Sequence, residues 1–151
     1  MVETARKAFA HTNGTFLKFL VIVAATVLYL AYPPASWVLE ANKVAVEDSR
    51  VGVTPIMRVD RIIHRDFEGE WTVTVMKKGE RGFYAFCTAR GANDYRTDSE
   101  LPDDLDLDWW TWPTKCTLPA GTYRLKTLWV IHLPIFPDKE VRVLSNVFKV
   151  E

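Results

Sequence analysis

Very little in this chain of 151 residues is dedicated to reactive chemistry. It has two cysteines and three histidines, with no CxxC pair and no histidine close to either cysteine, which argues against a zinc centre. No GxSxG elbow is present, and "GERG" at 79–82 is too short to cradle a phosphate. There is also no net charge: Lys plus Arg and Asp plus Glu stand at 19 each, and no basic stripe interrupts the balance. Such a chain has no field to attract nucleic acid. Internal repeats and low-complexity tracts are missing as well, while 48% apolar residues suffice for a real core.

What is present begins with an apolar run, "FLKFLVIVAATVLYLAYPPASW". From Phe16 it holds one charge, Lys18, and at 1.5 Å per residue it reaches about 25 Å, close to the roughly 30 Å hydrocarbon layer. Lys18 can snorkel, Tyr29, Tyr32 and Trp37 suit a headgroup belt, and Pro33 and Pro34 end the helix. No small-x-small cleavage site follows the run, which favours an uncleaved anchor over a signal peptide. Ala24, Ala25 and Ala31 would let another helix approach closely.

Up to Lys18 there are three basic residues against Glu3 alone, so the positive-inside rule leaves the N-terminus in the cytoplasm. The expected organisation is a cytoplasmic tail (1–15), a transmembrane signal-anchor helix (16–37), a stalk (38–52) and an exported domain (53–151). The expected location is a membrane, the bacterial inner membrane with the domain in the periplasm. There Cys87 and Cys116 are expected to pair, closing a loop of roughly 30 residues worth about 3 to 4 kcal/mol in chain entropy.

After Trp37 the pattern is strand upon strand. "EWTVTVMKK" puts Trp71, Val73 and Val75 on one face and Thr72, Thr74 and Met76 on the other. "KKGERG" then turns the chain into "FYAFCTAR", forming a hairpin, and "TYRLKTLWVIH" with "EVRVLSNVFKVE" forms a second. "TPIMRVDRIIHRDF" is a weaker strand. Short strands between turn signals give an all-β, antiparallel sandwich of about seven strands behind the N-terminal helix.

"LPAGTYRLKT", Leu118 to Thr127, resembles the corner before the penultimate strand of fibronectin type III and immunoglobulin-like domains. The resemblance implies an immunoglobulin-like sandwich in which Tyr123 is the corner tyrosine, its hydroxyl bonding back to the upstream backbone, and Leu118 a core leucine. It makes Trp71 the candidate core tryptophan. The chain departs from the immunoglobulin pattern two places after the tyrosine, where Leu125 stands in place of a cysteine. A Cys87–Cys116 bridge is therefore not the usual inter-sheet pin.

The densest chemistry lies in "LPDDLDLDWWTWPTKC", Leu101 to Cys116. Asp104, Asp106 and Asp108 alternate as in a calcium loop, but Trp109 and Lys115 occupy the places where an EF-hand needs glycine and glutamate. A looser calcium site would draw on Asp98 or Asp103. By strand parity Trp110 and Trp112 share a face and are assigned to the core, leaving Trp109 as an exposed anchor. Trp109 with Asp98, Asp103, Asp104, Asp106 and Asp108 forms the expected binding surface, for a protein partner or, alternatively, a glycan.

His64 and His132, with Ser49, Ser99 and Ser145, form no recognisable triad, and the histidines read as strand-end residues facing water. Arg61, His64 and Arg65 against Asp60, Asp66, Glu68 and Glu70 form a mixed-charge band suited to guarding a sheet edge or docking a neighbour. The expectation is thus a binding protein, not an enzyme, without cofactor or metal. It would be an accessory subunit tethered by a single span to the membrane it shares with its partner, of the kind seen in bacterial envelope complexes and small phage membrane proteins.

Overall fold

A computed structural model describes residues 2–31, 33–98, 104–107, 116–134 and 136–151. The chain divides into two compact units, Met1–Pro33 and Pro34–Glu151.

The first unit holds one helix, α1 (Val2–Ala31), which runs from the segment expected as a tail into the segment expected as an anchor. Among the described residues no helix is long and apolar enough to cross a membrane. This corrects the expected single-pass anchor over 16–37, and with it the inner-membrane location and the sidedness inferred from charge. The reason lies in how the helix is composed. Its first half carries Glu3, Arg6, Lys7, His11 and Asn13, and Lys18 follows. The apolar part from Phe19 to Ala31 covers only about 20 Å at 1.5 Å per residue, against a layer of roughly 30 Å.

The second unit opens with a short 3₁₀ turn, Ala35–Trp37, and continues as β1 (Leu39–Val46), β2 (Ile56–Ile63), β3 (Phe67–Gly79), β4 (Gly82–Tyr95), β5 (Asp104–Asp106), β6 (Gly121–Leu133) and β7 (Phe136–Val150). The residues expected as a stalk, 38–52, therefore contain a strand. Val38, Leu39, Val44 and Val46 are buried, and a register shift between Ala41 and Lys43 breaks the alternation that would mark β1 in the sequence. The single weak strand expected across 54–67 is likewise two strands separated by the turn at His64–Asp66.

These strands form two antiparallel sheets, one of order β1-β2-β5 and one of order β4-β3-β6-β7. The two expected hairpins are both present, β3 against β4 and β6 against β7. β3 and β6 pair in the middle of the larger sheet and alternate strictly, with Trp71, Val73 and Val75 facing inward opposite Trp129, Thr127 and Leu125. From the smaller sheet Leu39, Val44, Met57, Val59 and Leu107 enter the same core, at whose centre Trp129, Tyr123 and Phe148 are fully buried.

Three local devices fix this arrangement. Gly91 lies opposite Trp71, and a Cβ there would stand 2.6 Å from the indole Cζ2, so only glycine leaves the ring room to lie across β4. The Tyr123 hydroxyl donates a hydrogen bond to the Pro119 carbonyl, bracing the entry to β6. Cys87 and Cys116 are joined, tying β4 to the segment that leads into that corner.

A fourth device stitches the two sheets along one side. The Asn146 amide accepts from the Val46 N–H at 2.8 Å and donates to its carbonyl at 2.9 Å. Further along, Ser49 bridges Val150 in a parallel sense, with Ser49 N–H to the Lys149 carbonyl and Glu151 N–H to the Ser49 carbonyl.

Candidate interaction face

With Trp71, Val73 and Val75 inward, the residues between them point out, and cross-strand register arranges them in rows. The row Ala92, Glu70, Val130, Glu140 is followed by Arg90, Thr72, Leu128, Arg142, and then by Thr88, Thr74, Lys126, Leu144. Beyond these, Met76 pairs with Arg124 and Arg124 with Val147. Leu144 and Val147 are 55% and 43% exposed, and Leu128, Val130 and Met76 are half-buried, so an apolar strip crosses the middle of the face.

The charges on this face are sorted. Glu68, Glu70, Asp94, Asp138 and Glu140 gather at one end, where β3 and β7 begin and β4 and β6 finish. Toward the other end stand Lys78, Arg124, Lys126 and Lys149, with Arg90 and Arg142 in the row next to the acids and Arg96 4.0 Å from Asp94 among them. Arg142 pairs with Glu140 at the boundary, and the Arg124 guanidinium lies 5.2 Å from the centre of the Phe83 ring.

His132 sits within the acidic end. Its Nδ1 is 3.0 Å from an Asp138 oxygen and its Nε2 3.9 Å from Glu70. The hydrogen bond to Asp138 raises its pKa against the opposing effect of burial, and the charges of Asp138, Glu70 and Glu68 add to the rise. The ring borders an open depression of about 370 Å³, lined also by Asp66, Phe67, Glu68, Arg96 and Leu133. Asp66 shapes its rim, accepting from Thr97 N–H at 2.8 Å and from the Thr97 hydroxyl at 3.0 Å, and these bonds hold its carboxyl below the usual range.

The outer face of β1-β2-β5 is different. Arg58 lies between Glu47 at 3.1 Å and Asp104 at 2.8 Å, and His64 Nε2 meets Glu40 at 3.2 Å. His64 and His132 thus each have a carboxylate partner. Ser145 is buried, accepting from Leu125 N–H at 2.9 Å and donating to the Asn146 carbonyl, while Ser49 belongs to the stitched side.

Of the binding surface expected around the acidic loop, the structure places Asp104 in β5 against Arg58, Asp106 opposite Ile56 in the same pairing, and Asp98 in an exposed turn after β4. Asp103, Asp108, Trp109, Trp110 and Trp112 lie outside the described residues, as does Ser99. Among the described residues no group of three His, Cys, Asp or Glu side chains is placed to hold a metal. The expected mixed-charge band divides between the sheets: Asp60 and Arg61 belong to β2, whereas Glu68 and Glu70 belong to the sorted face.

Sequence pattern does not single out Leu144, Lys126, Arg142 or Glu140. The available signal was the exposed parity of "EVRVL", readable only once β7 is set beside β6. Compared with models of protein families, with curated proteins and with solved structures, the chain matches none.

Proposed function

We propose that residues 34–151 form an immunoglobulin-like sandwich of the fibronectin type III kind, acting as a non-enzymatic interaction module through the outer face of β4-β3-β6-β7. What supports the fold reading is strand order. Sheets of order β1-β2-β5 and β4-β3-β6-β7 correspond to A-B-E and C′-C-F-G of such domains, with Trp71 on the C strand and Tyr123 at the corner before F.

The observation that carries the functional reading is the combination on one face of an exposed apolar strip with charges sorted to its two ends. Apolar contact supplies affinity, and a polarised rim supplies orientation and partner choice. Binding fits the site better than catalysis does. The two histidines are held by carboxylates on open surfaces, and the Ser145 hydroxyl is occupied in structural bonds.

Site-specific photo-crosslinking in the native host tests this. A photoreactive residue at Thr74 or Leu144 should capture a defined protein, whereas one at Asp60 or Ala45, on the opposite face, should not. Equal capture from both faces, or none from either, would refute the reading.

A further inference from the structure

We propose that β4 pairs with β4 of a second copy of this chain, edge to edge and antiparallel, about a two-fold axis standing normal to the sheet at Ala92. This goes beyond the interaction face. The surface concerned is the edge of the sheet, whose recognition groups are backbone amides and carbonyls.

The two ends of the larger sheet are finished differently. β7 closes one end and is engaged there, since Asn146 bonds both the amide and the carbonyl of Val46 and Ser49 bridges Val150. β4 closes the other end and pairs along its length with β3, and among the described residues no strand lies on its other side. A row of N–H and C=O groups left in this way is a template for another strand.

The features that blunt an edge are confined to one part of β4. Its register against β3 shifts once, between Val75 and Met76, where Phe86 is the extra residue, and then runs without interruption from Cys87 to Tyr95. That run contains no proline and no lysine. Thr88, Ala89, Gly91 and Ala92 keep it slim, so a second backbone can come to the usual spacing of about 4.8 Å.

Charge selects the partner and the register. Arg90, Ala92 and Asp94 stand on the outer side of this run, all exposed. An antiparallel pair centred on Ala92 sets Arg90 of each copy opposite Asp94 of the other, while Ala92 meets its own equivalent on the axis. Centring on Arg90 or on Asp94 would oppose like charges, and centring on Gly91 or Asn93 would lose the ion pairs. The Ala92 register also matches inner side to inner side, Gly91 with Asn93 and Ala89 with Tyr95, so the two larger sheets become one continuous sheet. Asp94 gains from it because its neighbour across β3 is Glu68, another acid, and Arg96, 4.0 Å from Asp94, is shared with Asp66. Over Ala89–Tyr95 the pairing makes about six to eight backbone hydrogen bonds. An edge contact of this size is smaller than a standard interface, so the dimer is weak and reversible.

The test uses the purified full chain. Ala92→Cys brings two Cα atoms to about 4.5 to 5.5 Å across the axis, within reach of a disulfide. Mild oxidation should link this variant as a covalent dimer while Cys87–Cys116 stays closed. Thr74→Cys, on the outer face of β3, should not link under the same conditions. In sedimentation equilibrium Arg90→Asp and Asp94→Arg should each raise the dissociation constant on the order of tenfold, and the double exchange should restore it. Those two positions lie about 13 Å apart along one strand, so restoration reports a contact between copies. All variants should keep the parent's thermal midpoint to within a few degrees.

Absence of the Ala92→Cys dimer would overturn the proposal, as would equal linking at Thr74 or a dimer that neither charge exchange weakens. In the last case association runs elsewhere, α1 included.

Discussion

On the outer face of β1-β2-β5, Arg58 is clasped between Glu47 and Asp104 and His64 meets Glu40, whereas on the outer face of β4-β3-β6-β7 most acids and bases lie at opposite ends. The two faces draw on the same residue types. The first neutralises its charges within one strand spacing and presents little field to an approaching molecule. The second pairs some of its charges, as Glu140 with Arg142, but gathers most of its acids at one end and most of its bases away from it. Net charge, zero for the whole chain, is blind to this difference; cross-strand register decides it.

That contrast presumes two faces of one cooperative body, and the heaviest blow to it would come from the core. Trp129→Ala, at a fully buried site shared by both sheets, should cost about 3 to 5 kcal/mol in urea unfolding. Amide exchange should accelerate in both sheets together; acceleration in one alone would mean the faces belong to separable units. Opening the Cys87–Cys116 bridge, by reduction or Cys87→Ser with Cys116→Ser, should remove about 3 to 4 kcal/mol, read as a lower thermal midpoint.

Gly91→Ala drives a methyl against the Trp71 ring and should cost about 1 to 3 kcal/mol in the same assay. Because the damage is on the inner side of β4, the sorted face itself should keep its chemistry. Arg58→Ala removes exposed ion pairs and should cost less than about 1 kcal/mol, leaving any association through the opposite face unchanged. A large effect on association would break the contrast.

The smallest effect concerns His132. Its pKa is raised in the folded state, so the stabilisation it gives is fully present below the ordinary histidine value and is lost as pH rises through the raised one. The urea midpoint of the parent should therefore exceed that of His132→Gln at pH 5.5 and approach it at pH 8.5. A gap that widened with pH would show that Asp138 and its acidic neighbours do not act on the ring as their positions imply.

How much of this was legible beforehand varied with the regularity of each segment. Trp71, Val73 and Val75 alternate without interruption, and so do Tyr123, Leu125 and Trp129, which is why the central strands and both hairpins can be read directly. β1 could not, because the shift at Ala41 and Lys43 throws Leu39 out of phase with Val44 and Val46. Around Phe19 to Ala31 the apolar run was plain, but its length decided the matter, and the polar half of α1 makes it short.

The disulfide could be anticipated because only two cysteines exist. The sorted face could not. Glu140 and Arg142 are two residues apart in sequence, and their separate allegiance appears only when Val130 and Leu128 are set beside them. The acidic loop drew attention by composition, yet Asp104 turns out to close one of the ion pairs of the quieter face.

The stitched side has a mechanical consequence. β1 and β7 are joined through Asn146 and then through the parallel bridge of Ser49 with Val150. Tension applied between the start of β1 and the end of β7 pulls two parallel-running strands past each other, not apart like a zipper. The bonds from Val46 to Glu151 then carry load together and must fail together. The domain is thereby suited to bearing force along its length, and its strength in that direction exceeds what the same bonds would give if peeled one at a time.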